Sequence, residues 1–84
     1  MERKLEFITH DIWLASALTI LLNTIPDYRV SNGKTLFIFP SDDKTYKAIS
    51  EYNGGCSLPA YLYAETIKRL KVEMLTRRDK RGNQ

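Results

Sequence analysis

Cysteine is nearly absent from this sequence: Cys56 stands alone among 84 residues, so no internal disulfide can form. Packing and hydrogen bonds must hold the fold by themselves. A membrane-spanning run is missing too. The longest apolar stretch, Ile12–Leu22, falls short of the ~20 residues that a bilayer requires and is bounded by Asp11 and Asn23. No cleavable leader pattern opens the sequence. The expectation is a reduced, cytoplasmic protein with no membrane partner.

Chemistry-bearing constellations are equally scarce. His10 and Asp11 adjoin, but neighbours on a helix do not face each other, and no Ser or Cys nucleophile is linked to them. Asp42 and Asp43 have no His, Asp or Glu cluster nearby, which makes a poor metal-ligand set. A helix start explains both pairs without chemistry. Gly54 and Gly55 follow a helical segment rather than preceding one. The sequence carries no Walker lysine and no dinucleotide fingerprint. Cys56 has no cationic sequence neighbour to activate it. These absences lead to the expectation of a protein that is not an enzyme, with no cofactor, no metal and no small-molecule substrate.

Charge is present but uneven. Residues 1–64 hold six Lys/Arg against seven Asp/Glu, whereas residues 65–84 hold seven against three. The whole positive excess therefore lies at the C-terminal end, which is where an acidic partner would be drawn.

The segment Ile12–Leu22 has nine apolar residues in eleven. A helix that apolar must be covered on most sides, so it is expected at the centre of the fold, over 10–23. Thr9 is the expected N-cap, and Pro26 the stop. Ser16, Thr19 and Asn23 fall on one narrow stripe that is expected to face solvent. Ahead of this helix, 5–8 is rich in strand formers. Beyond it, Asn32-Gly33 separates 27–31 from 34–39, and Asn-Gly suits the positive φ values of a type I′ hairpin turn. That loop pairs Ser31 with Lys34 and Tyr28 with Phe37. It places Tyr28, Val30, Phe37 and Phe39 on one face, with Leu36 and Ile38 on the other. Ser41 is the expected cap of a second helix running to about Tyr52, with Tyr46, Ile49 and Tyr52 inward. A third helix is expected from Pro59 to Arg77, with Tyr63, Ile67, Leu70 and Met74 as its inward stripe.

These elements predict an α+β fold: a β-hairpin, extended by a third N-terminal strand if 5–8 pairs, packed on a central apolar helix with two further helices. Residues 1–78 form the expected single domain and 79–84 a basic, frayed tail. The expected core comprises Trp13, Leu14, Leu18, Leu21, Phe37, Phe39, Ile49, Tyr63, Ile67 and Leu70.

The run Phe7-Ile8-Thr9-His10-Asp11-Ile12-Trp13-Leu14-Ala15-Ser16-Ala17-Leu18, with the later Phe37-Ile38-Phe39 strand and basic last helix, resembles a family of small uncharacterised bacterial and phage domains. Their pattern is an aromatic, Thr or Ser, Asp, an aromatic, Leu-Ala-Ala and an apolar residue. Ser16 stands here where the second alanine is common. The resemblance spans about Leu5 to Leu75 and implies a compact α+β accessory domain, with no activity or site residue attached.

Two classes of function remain. One is a small accessory protein binding nucleic acid without sequence preference. Lys68, Arg69, Arg77, Arg78, Lys80 and Arg81 would contact phosphates and Tyr61 would stack on a base. The other is a protein-interaction module or homodimer, using the Tyr61/Val72 side of the last helix or the hairpin edge at 27–31.

Overall fold

A computed structural model of the chain describes residues 5–82, with side chains described over 5–77. The elements run β1 (Glu6–Thr9), α1 (Ile12–Leu22), β2 (Asp27–Ser31), β3 (Lys34–Pro40), α2 (Asp43–Asn53) and α3 (Ala60–Gly82). The strands form one antiparallel sheet in the order β1-β3-β2, so the α+β architecture read from the sequence is the one observed.

The hairpin forms because Asn32 and Gly33 take φ of 53° and 78°, the left-handed pair that a type I′ turn demands. The register follows from that turn: Ser31 faces Lys34, Val30 faces Thr35 and Tyr28 faces Phe37. The N-terminal strand also pairs, setting Phe7 against Phe39 and Ile8 against Ile38. Strand alternation then sends Phe7, Thr9, Tyr28, Val30, Thr35, Phe37 and Phe39 to the face that meets the helices. Glu6, Ile8, Arg29, Leu36 and Ile38 lie on the other face. Glu6 sits opposite Pro40 and Arg29 opposite Leu36. Their ion pair, at 3.3 Å, therefore spans β3 diagonally at the level of Ile38, which is buried although it points away from the helices.

Helix α1 packs between α2 and α3. Ala15, Ser16, Ala17 and Leu18 are four consecutive residues, all buried. At about 100° per residue they cover the full circumference, so this turn is enclosed on every side. Small side chains make that possible, since they let the neighbouring helices approach closely. The centre of the core is Ala15, Leu18, Phe37, Phe39, Ala48 and Leu70. At about 25 cal/mol per Å² of apolar surface, each large side chain in it contributes roughly 1.5–3 kcal/mol.

Two expectations about α1 are corrected here. Ser16 is fully buried rather than solvent-facing, because its small size suits the tightest part of the packing. Trp13 is 55% exposed rather than part of the core. Its indole is too large for that space and lies at the rim, its ring centroid 6.2 Å from that of Tyr63.

The helix ends also differ from expectation. Asp11, not Thr9, caps α1, its Oδ1 accepting from Trp13 N at 2.9 Å and Leu14 N at 3.2 Å. Thr9 Oγ1 acts one step earlier, accepting from Asp11 N at 3.1 Å. A carboxylate satisfies two orphan amides at once and also suits the helix dipole. The far end of α1 is closed by Asn23, left-handed at φ 51°, well before Pro26. Thr24 N donates to Thr19 O and Asn23 N to Ile20 O, both at 3.2 Å, which is the Schellman pattern. Asp42, not Ser41, caps α2 through Thr45 N at 2.9 Å, and that amide holds the Asp42 carboxyl below its ordinary range. Ser41 Oγ instead lies 2.7 Å from the Tyr46 hydroxyl. Tyr46 is correspondingly half exposed, and α2 buries Thr45 and Ala48 against the core. Gly55, at φ 84°, takes the left-handed position after α2.

Candidate functional site

Helix α3 carries two stripes with the same spacing, two residues out of step. Tyr63, Ile67, Leu70 and Met74 form the first. It faces inward as the periodicity predicts, with Leu70 fully buried and Met74 against the core. Thr35 Oγ1 donates to Met74 O at 3.2 Å and ties α3 to β3. Tyr61, Glu65, Lys68, Val72 and Leu75 form the second, at steps of four, three, four and three. A shift of two residues is a rotation of about 200°, so the second stripe points away from the body of the protein. Tyr61 is 79% exposed, Val72 61% and Leu75 44%. Tyr61 thus stands at one end of an exposed helix face and Val72 and Leu75 at the other, while Leu62, also 44% exposed, lies about 100° round the helix from Tyr61.

Glu65 and Lys68 lie between the apolar ends of this stripe and approach to 3.9 Å. Both side chains are well exposed, and an exposed pair of this kind contributes little to folding. Its cost to a binding partner is correspondingly low, because either group can be re-paired.

Among the described residues, the basic side chains expected at phosphates, Lys68, Arg69 and Arg77, do not share one face of α3. Lys68 belongs to the outward stripe beside Tyr61. Arg69 is exposed on the flank that faces β2, where it lines a groove of about 460 Å³ with Tyr28, Glu73 and Arg77. Arg77 is sixteen residues beyond Tyr61, about 160° round the helix and about 24 Å along it. Its guanidinium stacks over the Tyr28 ring at 4.4 Å, and its Nε donates to Glu73 Oε1 at 3.2 Å. Arg77 therefore already serves the joint between α3 and the edge strand β2. The side chains of Arg78, Lys80 and Arg81 lie outside the described residues, although the backbone of α3 continues to Gly82.

Tyr28, inside that joint, has its hydroxyl pKa raised by burial and by Glu73, against the opposing pull of Arg77 and Arg69. Tyr63 is pushed up to about 12, chiefly by burial and then by the neighbouring Tyr52. Each of these phenols is held neutral, in a packing role. A second recess, of about 390 Å³, opens beside Leu5, Ile25, Ile38 and Pro40, and its Glu6 carboxylate is already engaged by Arg29. Among the described residues, no group of three His, Cys, Asp or Glu side chains converges to hold a metal ion, and no helix is long and apolar enough to cross a membrane.

Sequence reasoning placed Tyr61 and Val72 on the outward side but missed Leu75. The signal was available as the continuation of the four-three spacing beyond Val72. No protein-family model, no curated protein and no solved structure matches this chain. The site is read from its own geometry.

Proposed function

We propose that this chain is a protein-interaction module, not a catalyst, and that the outward face of α3 is its binding surface. The observation that carries this reading is the exposure of Tyr61, Val72 and Leu75 along one stripe of a helix whose opposite stripe turns inward, with Leu70 buried and Met74 packed against the core. A helix face with apolar side chains at both ends of a four-three stripe offers a partner helix anchoring contacts. Tyrosine is favoured at such surfaces because it offers a large contact area with little side-chain entropy to lose.

Site-specific photocrosslinking tests this reading. A photoreactive phenylalanine analogue replaces Tyr61, and a control replaces Lys47 on the exposed side of α2. In the cell that carries the gene, a discrete protein adduct is expected from position 61 and not from position 47. Equal labelling from both positions, or none, overturns the proposal.

A second reading has one observation in its favour: Tyr61 shares α3 with exposed Lys68, Arg69 and Lys71. An aromatic beside cations can stack on and neutralise a single-stranded nucleic acid. Anisotropy of labelled single- and double-stranded DNA and RNA, at low and near-physiological salt, tests it. Affinity that falls steeply with salt and drops on Tyr61→Ala supports this second reading. No binding at micromolar protein in low salt removes it.

A further inference from the structure

We infer that the partner of the α3 face is a second copy of this chain, docked antiparallel about a two-fold axis that passes between Glu65 and Lys68. This rests on the interaction-module reading above and names its partner. In the order Tyr61, Glu65, Lys68, Val72, the outward stripe reads apolar, acidic, basic, apolar. That string is complementary to its own reverse. In an isologous contact, residue i of one protomer meets residue j of the other, and j meets i. The antiparallel register then sets Tyr61 on the partner's Val72, Glu65 on its Lys68, Lys68 on its Glu65 and Val72 on its Tyr61. A parallel pairing of the same face would set Glu65 on Glu65 and Lys68 on Lys68, and the like charges would oppose it.

Three further observations fit a second copy. The stripe keeps the four-three alternation of a coiled-coil seam from Tyr61 to Leu75. Its two charged members are not committed to the fold: the Glu65–Lys68 approach of 3.9 Å is long and both groups are exposed. In the dimer each is re-paired across the axis, forming a four-charge cluster enclosed by two Tyr–Val contacts. Leu75 extends the seam past this central segment. The flank residues Glu73 and Arg77 stay on the joint with β2, so the dimer leaves the monomer fold undisturbed. An interface of one helix face is at the small end for specific association, and a micromolar dimer is the expected strength.

The test is sedimentation equilibrium of the purified full chain from about 1 µM to about 500 µM, bracketing that strength. The expected mass rises from monomer to dimer across this range. Glu65→Lys alone and Lys68→Glu alone each set like charges across the axis and weaken association by about tenfold or more. The double variant Glu65→Lys/Lys68→Glu restores opposite charges in every pair and returns association to near the original level. Val72→Glu abolishes it. Lys47→Glu, which shifts net charge by the same amount far from α3, leaves it unchanged. Lys47, Lys68 and Val72 are exposed and Glu65 is partly exposed, and circular dichroism and thermal melting check that each variant keeps the monomer fold.

A chain that stays monomeric throughout the range overturns the second copy, as does a dimer indifferent to residues 65, 68 and 72. Failure of rescue by the double variant overturns the antiparallel register. The photocrosslink at position 61 separates the two levels. An adduct of some other mass, with a monomeric purified chain, sinks the homodimer and leaves the interaction module standing. Absence of any adduct, with a monomeric chain, sinks both.

Discussion

The Tyr63 hydroxyl donates a hydrogen bond of 3.0 Å to the carbonyl oxygen of Trp13. This bond ties the first turn of α3 to the first turn of α1, fifty residues away in sequence. It sits beneath the half-exposed indole, where the two rings lie tilted at 54°.

Because burial pushes the Tyr63 pKa up to about 12, its contribution to stability depends on pH in a defined direction. The folded chain holds this proton more tightly than the unfolded chain, whose tyrosine titrates near the ordinary value of 10.0. The contribution is therefore complete below pH 10 and is lost as pH rises toward about 12. Tyr63→Phe is expected to flatten the alkaline limb of a stability-versus-pH curve measured by urea unfolding. At neutral pH it costs about 1 kcal/mol for the lost hydrogen bond. An unchanged alkaline limb would contradict the assignment.

Ser16 is fully buried, and its Oγ has no hydrogen-bond partner among the described residues. A buried hydroxyl without a partner costs free energy that an alanine does not. Ser16→Ala is expected to raise stability by about 1 kcal/mol in urea unfolding. Ser16→Val, which overfills the enclosed turn, is expected to lower it by about 1–3 kcal/mol.

Arg77 stacks on Tyr28 and pairs with Glu73. Arg77→Ala is expected to cost about 0.5–1 kcal/mol, the size of an exposed cation–π contact. It also removes a charge that lowers the Tyr28 pKa and leaves Glu73, which raises it. An ultraviolet phenolate titration should therefore show one tyrosine moving upward. A downward shift would mean that Arg77 does not sit over that ring in solution.

Asp42 caps α2, and its carboxyl pKa is lowered by the amide of Thr45. A depressed folded-state pKa gives stability that is present above the unfolded value of 3.8 and is lost as pH falls through the folded value. Asp42→Ala is expected to be less stable than the parent at neutral pH. The gap between the two should close on acidification below that range. A gap that persists in acid would assign the effect to something other than the ionised cap.

Gly33 adopts φ +78° at the hairpin turn, with open space where a Cβ would stand. Gly33→Ala meets no clash and suffers only the backbone penalty, about 1–2 kcal/mol for a left-handed non-glycine residue. Thermal melting measures it, and a loss well below that range would indicate that the turn relaxes to another type.

Short-range rules made much of this protein legible in its sequence. Asn32-Gly33 dictates its own φ values, and a two-residue turn leaves one register, so the pairing of β2 with β3 and the faces of their residues followed directly, whereas the faces of β1 came only with its pairing to β3. The period of Tyr63, Ile67, Leu70 and Met74 was equally local information, as was the enclosure of α1, since nothing so apolar can rest on water. What the sequence did not decide is how α1 is turned within that enclosure. When nearly every residue is apolar, polarity no longer distinguishes inside from rim and size takes over. Ser16 therefore went in and Trp13 stayed out. The caps were also left open by the sequence, since Thr9, Asp11, Ser41 and Asp42 are all chemically eligible; the folded chain uses the two aspartates. On α3 the sequence offered two stripes of equal spacing. The sequence already told them apart, since one row is apolar throughout and Glu65 and Lys68 interrupt the other; what only the packing decided is that the outward row stays exposed as far as Leu75, because α3 meets α1 and the sheet on its other side.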